Sequence, residues 1–151
     1  MRRRCKGVAA TIGAVLALAA LATVALAANQ VKGGSYKGAL QPATRGISVS
    51  FKVSKSGSQV TSLSISNIPA YCSSGGPAIP IHFKNASISS KGTFTSSARY
   101  VIKVGPFKGQ VGEKLKITGK FLKGKREQGT LTTTYPKASA CSGKSPYTTK
   151  A

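Results

Sequence analysis

The chain contains no aspartate, no tryptophan and a single histidine, and its only carboxylate side chains are Glu113 and Glu127. Calcium and magnesium sites need clustered oxygen anions, which two glutamates do not supply. A glycosidase would have to use both, held about 5–9.5 Å apart. On the hairpin described below they lie about eight residues apart, and at roughly 3.3 Å per residue that is about 26 Å. His82 has no aspartate to orient it, and no G-x-S-x-G turn accompanies it, so a serine-hydrolase triad is not assembled. Cys72, His82 and Cys141 offer three zinc ligands at most and lack C-x-x-C spacing. Ala138 to Ser145 loosely matches a phosphate-binding loop, but Pro146 follows where a helix would have to start. No catalytic residue, metal or cofactor is assigned.

What is present begins with an export signal. Arg2, Arg3, Arg4 and Lys6 form a cationic head, an uncharged run extends from Gly7 to Ala27, and Ala25-Leu26-Ala27 supplies a small-x-small cleavage pattern. Alanine dominates the run and is only weakly hydrophobic, which favours removal of residues 1–27 as a signal peptide. A spanning helix needs roughly 20 apolar residues. Residues 7–27 just reach that length, so an uncleaved anchor helix is the alternative and the only membrane contact expected. In both cases residues 28–151 form a single domain outside the cytoplasm, secreted or held at the cell envelope. Of three cysteines, Cys5 lies in the cationic head, and Cys72 and Cys141 remain as an isolated pair. In an oxidising compartment one disulfide is the simplest state of such a pair.

The charge is extreme. Of 23 basic residues, 19 lie beyond residue 27 against two acids, a formal balance of +17. Such a surface attracts any polyanion it meets. Outside the cytoplasm, the candidates are anionic envelope polymers and acidic polysaccharides. Nucleic acid is physically compatible, but export removes it as the ordinary partner. Alternatively, the lysines only solvate the domain and guard its strand edges, leaving a structural or protein-interaction module.

Helical periodicity is missing after residue 28, where short β-branched and aromatic runs alternate with Gly, Ser and Lys turns. A first strand is expected over Gly34 to Leu40. Ile47, Val49, Phe51 and Val53 alternate with polar residues, turn at Lys55 to Ser58, and return through Val60, Leu63 and Ile65 with a bulge between Val60 and Leu63. Asn67 to Pro80 reads as a loop. Ile79, Ile81 and Phe83 alternate next, with His82 on the opposite face, and a strand runs from Phe94 through Tyr100 and Ile102 to Val104. Leu115, Ile117, Gly119 and Phe121 then pair with Gly129, Leu131, Thr133 and Tyr135 around Lys123-Gly124-Lys125. The outer face of that hairpin carries Lys114, Lys116, Lys120, Lys123, Lys125 and Arg126, the expected polyanion-binding residues.

Several spacings resemble small exported bacterial β-sandwich modules of uncharacterised function. They are Gly34-Ser35-Tyr36-Lys37-Gly38, Val49-Ser50-Phe51-Lys52-Val53, Cys72, Lys91-Gly92-Thr93-Phe94, Ile117-Thr118-Gly119-Lys120-Phe121, Gly129-Thr130-Leu131, and Cys141-Ser142-Gly143 before Tyr147. The resemblance implies an antiparallel sandwich with Cys72 and Cys141 bridged, and it carries no active site. The expectation is therefore an all-β antiparallel β-sandwich of about eight strands behind an N-terminal signal or anchor helix. Its function is that of an exported, non-catalytic module contacting anionic polymers.

Overall fold

The computed structural model describes residues 29–41, 46–69, 78–103, 105–136 and 142–151. The segment 1–27 and both Cys72 and Cys141 lie outside the described residues, as does Val104. Alternating apolar and polar residues produce nine strands: β1 (Ser35–Leu40), β2 (Ser48–Val53), β3 (Gln59–Pro69), β4 (Ala78–His82), β5 (Ala86–Ser87), β6 (Thr93–Val101), β7 (Val111–Leu122), β8 (Arg126–Thr134) and β9 (Gly143–Lys150). Among the described residues there is no helix. The sheet order is β4-β3-β2-β1-β9-β8-β7-β6, all neighbours antiparallel, with the short β5 added to β3.

The expected all-β antiparallel class is what forms. The nine strands belong to one nearly closed, barrel-like sheet, where two stacked sheets of about eight strands were expected. Closure follows from β9, which inserts between β1 and β8 and joins the first strand to the last hairpin. At the open seam, Ser96 Oγ on β6 donates a 2.6 Å hydrogen bond to the carbonyl of Lys84, just after β4.

Period-two alternation decides which side chains enter the barrel. On β7, Leu115, Ile117 and Phe121 are buried, whereas Lys114, Lys116 and Lys120 are exposed. Tyr36, Phe51, Phe94 and Phe121 meet in the centre. Tyr36 stacks on Phe51 with centroids 4.9 Å apart, and Phe121 meets Tyr36 edge-on at 5.3 Å. Phe94 closes the group at 5.6 Å from Phe51 and 5.8 Å from Phe121. These rings come from β1, β2, β6 and β7, so the cluster ties distant strands across the interior. Each ring pair of this kind contributes roughly 0.5–1.5 kcal/mol beyond area burial.

Three boundaries differ from the sequence reading. Asn67 to Pro69 extends β3, and Ala78 to Pro80 starts β4, so the expected loop is shorter. Pro80 is tolerated because β4 is an edge strand, with an unpaired side for a residue that lacks an N–H. β6 stops at Val101, after a register shift that follows Tyr100. β9 was not anticipated at all, because Pro146 interrupts its pattern. The expected bulge is real: the β2–β3 register slips between Ser50/Ser64 and Lys52/Thr61, and Ser62 there has φ 51°.

Candidate polyanion-binding surface

Both glutamates are withdrawn from the surface, Glu113 at 0% exposure and Glu127 at 1%. No acidic side chain is therefore left to neutralise the exposed basic residues. The β7–β8 register sets Glu127 opposite Phe121, eight positions along β7 from Glu113, so the two carboxyls do not form a pair. Glu127 accepts 2.8 Å and 2.7 Å hydrogen bonds from the Tyr147 hydroxyl and from Thr149 Oγ1. Burial nevertheless raises its pKa from 4.5 to about 7, against the pull of those two donors. Glu113 lies beside the Tyr135 phenol, its hydrogen-bonding neighbour. Its pKa also rises to about 7, mainly through burial, with the nearby Tyr135 phenol acting in the opposite direction. Burial and the adjacent carboxylates push the Tyr135 and Tyr147 phenols upward.

The expected ladder is exposed along its length, but it is not one patch. Lys114 and Lys116 lie towards the β6–β7 end of the barrel, and the half-buried Thr118 separates them from Lys120. Lys123 and Lys125 occupy the turn at the other end, and Arg126 opens β8 beside Leu122. From Lys114 to Lys123 the strand covers roughly 30 Å at 3.3 Å per residue. Strand pairing brings in cations that the hairpin alone does not reveal. Arg99 faces Lys114 across β6 and β7. Lys144 is one strand beyond Thr132, the partner of Lys116. At the turn end, Arg126 faces Lys150, and Lys150 faces Lys37.

A shallow depression of about 580 Å³ lies on the same outer face. Its lining includes Thr95, Thr118, Lys120, Gln128, Thr130 and Thr148. Two inward-facing glycines shape it. Gly119 and Gly129 face each other on β7 and β8. A Cβ at Gly119 would strike the Glu127 carboxylate and the Phe94 ring, and one at Gly129 would strike the Thr118 carbonyl. Without side chains, the two strands settle against the interior and leave their outer face dished. A second cleft of about 410 Å³ adjoins it, lined by Lys37, Leu122, Arg126, Glu127 and Lys150 and sharing Gln128 and Thr148 with the first.

His82 is exposed on β4, opposite Ser64, and no carboxylate lies beside it on the surface. Gly143 to Ser145 are strand residues, so the helix a phosphate-binding loop requires does not follow. Among the described residues no group of three or more His, Cys, Asp or Glu converges. No protein-family model, curated protein or solved structure matches this chain. Lys37 and Lys150 were missed by the sequence reading because their adjacency depends on the β1–β9 pairing. The signal available for β9 was Tyr147, Thr148, Thr149 and Lys150, an alternation cut short by Pro146.

Proposed function

We propose that this is an exported, non-catalytic module whose basic outer face contacts anionic polymers of the cell envelope or extracellular space. In this reading residues 1–27 direct export and the domain acts outside the cytoplasm. Cys72 and Cys141 form a disulfide there, and the strand ends that flank them, at Pro69, Ala78, Thr134 and Gly143, point to one end of the barrel. The observation that carries the reading is the charge distribution. Both acidic side chains are buried, and the exposed basic residues have no acidic side chain beside them on the surface. Electrostatic attraction of this type is long-ranged and weakened by salt.

The test is retention of the purified protein on immobilised heparin or isolated anionic cell-wall polymer. Elution with rising salt supports the reading, and flow-through at low salt ends it. A second reading is a structural or protein-interaction module whose charge only keeps it soluble. The spread of basic residues over both ends of the barrel favours it. Loss of retention on replacing Lys114, Lys116 and Lys120 by glutamine would reject that alternative.

A further inference from the structure

Cross-strand register places three cations in one uninterrupted row. Arg126 on β8 faces Lys150 on β9, which faces Lys37 on β1. The row continues through Ser50 and Ser64, whose hydroxyls are 3.0 Å apart, to His82 on β4. No other row among the described residues sets three basic residues on consecutive strands. Two rows away, Thr118, Thr130 and Pro146 are all uncharged, and the Lys116 row alternates lysine with Thr132 before Lys144. All three cations line the 410 Å³ cleft, whose floor Glu127 also borders. That carboxyl is 1% exposed, turned inward onto Tyr147 and Thr149, and kept towards its neutral form by burial.

We propose that this cleft is an anion subsite that takes a single sulfate or phosphate group carried on a linear glycan or polyol chain. The inference rests on the polyanion reading above and moves its centre from the Lys114–Lys120 ladder to Lys37, Arg126 and Lys150. Neighbouring strands are about 4.8 Å apart, so the outer two cations are about 10 Å apart. Long, flexible side chains at that spacing converge on one tetrahedral oxyanion above Lys150. A terminal sulfate or phosphate ester presents three acceptor oxygens to the three cations, whereas a carboxylate presents two. Arg126 supplies the planar fork suited to two oxygens, and the lysines supply point charges. The adjoining depression, floored by Thr95, Thr118, Gln128, Thr130 and Thr148, offers hydroxyl and amide partners to the uncharged part of the chain. Like charges directly opposite on a sheet destabilise it. With no acidic side chain left at the surface, an oxyanion bound over the row offsets that repulsion.

The experiment compares two variants of the full chain with equal charge removed: K37Q/R126Q/K150Q in the cleft, and K114Q/K116Q/K144Q at the other end. Heparin tests the sulfated source and inorganic polyphosphate the phosphorylated one, with affinity measured at several salt concentrations. The cleft variant is expected to bind at least one of the two probes about tenfold more weakly than the distal variant. Without ligand it should melt at or above the wild-type temperature, because repulsion is relieved. Equal weakening by the two variants, or greater weakening by the distal one, overturns the subsite and leaves the general polyanion reading standing. No binding of either probe by the wild-type protein removes both. Tighter binding to duplex DNA or to anionic vesicles, insensitive to the cleft variant, also overturns it. Lysine acylation of the wild-type protein gives a check that needs no variant. Saturating ligand should protect Lys37 and Lys150 more than Lys114 and Lys116, and the reverse pattern contradicts the site.

Discussion

The Tyr147 hydroxyl lies 2.8 Å from Oε1 of Glu127 and 3.2 Å from the carbonyl oxygen of Thr118. A phenol has one hydrogen, so it cannot donate to both acceptors at full strength. When Glu127 is protonated, its O–H can donate to Tyr147, which then donates to Thr118, and every group is satisfied. When Glu127 is ionised, Tyr147 must turn to the carboxylate, and the charge stays buried with only Tyr147 and Thr149 as donors. The interior therefore favours the neutral acid, as the raised pKa of about 7 expresses.

Stability should fall as pH rises. Below pH about 4.5 both carboxyls are protonated whether the chain is folded or not, and the protein is at its most stable. Between 4.5 and about 7 the folded state keeps protons that the unfolded state releases, so stability declines through that window. Above it both states are ionised and stability levels off. Within that window each carboxyl changes stability by at most about 1.4 kcal/mol per pH unit, and less where solvent screens it. Melting temperature measured from pH 4.5 to 8.5 should drop and then flatten. A rise over that range contradicts the assignment.

Glu113→Gln isolates one half of this effect. A glutamine there keeps the size of the side chain and an oxygen that can still accept from the Tyr135 phenol. The variant should match wild type at pH 5, melt higher at pH 8, and show about half the pH dependence. Equal destabilisation at both pH values would mean that the carboxyl serves packing only.

Tyr147→Phe removes the donor to Glu127 and to the Thr118 carbonyl while keeping the ring. A loss of about 1–3 kcal/mol in urea unfolding is expected, as for a buried acceptor left unsatisfied. The Glu127 titration followed by carboxyl NMR should move further upward.

Gly119→Ala should be severe, because its Cβ would collide with the Glu127 carboxylate and the Phe94 ring. Overpacking of this kind costs about 1–3 kcal/mol or more. Gly143→Ala meets nothing within 4 Å. It should stay within about 0.5 kcal/mol of wild type. Similar denaturation midpoints for the two variants would show that the close approach at Gly119 does not constrain the barrel.

Much of the sheet could be read from local alternation. Val49, Phe51 and Val53, and Leu115, Ile117 and Phe121, mark their strands because each inward residue is apolar and each outward one polar. The turn at Lys123-Gly124-Lys125 followed from glycine and the change of pattern. Closure could not be read in this way. It depends on β9, where Pro146 mimics a strand breaker although β1 is paired with β9 only from Tyr147 onward. The same gap hid the Lys37–Lys150–Arg126 row, since long-range register is a property of three strands together. The buried carboxyls were also invisible as such. Glu113 and Glu127 share the inward phase of their strands with Leu115 and Leu131, and charged residues at those positions are rarely expected inside.

The central claim is that an acid-free basic surface binds polyanions by electrostatics, and its most direct measurement is the dissociation constant for heparin as a function of salt. Log affinity should fall linearly and steeply with log salt as counterions are released. Absence of binding at low salt, or affinity that does not change with salt, would contradict it.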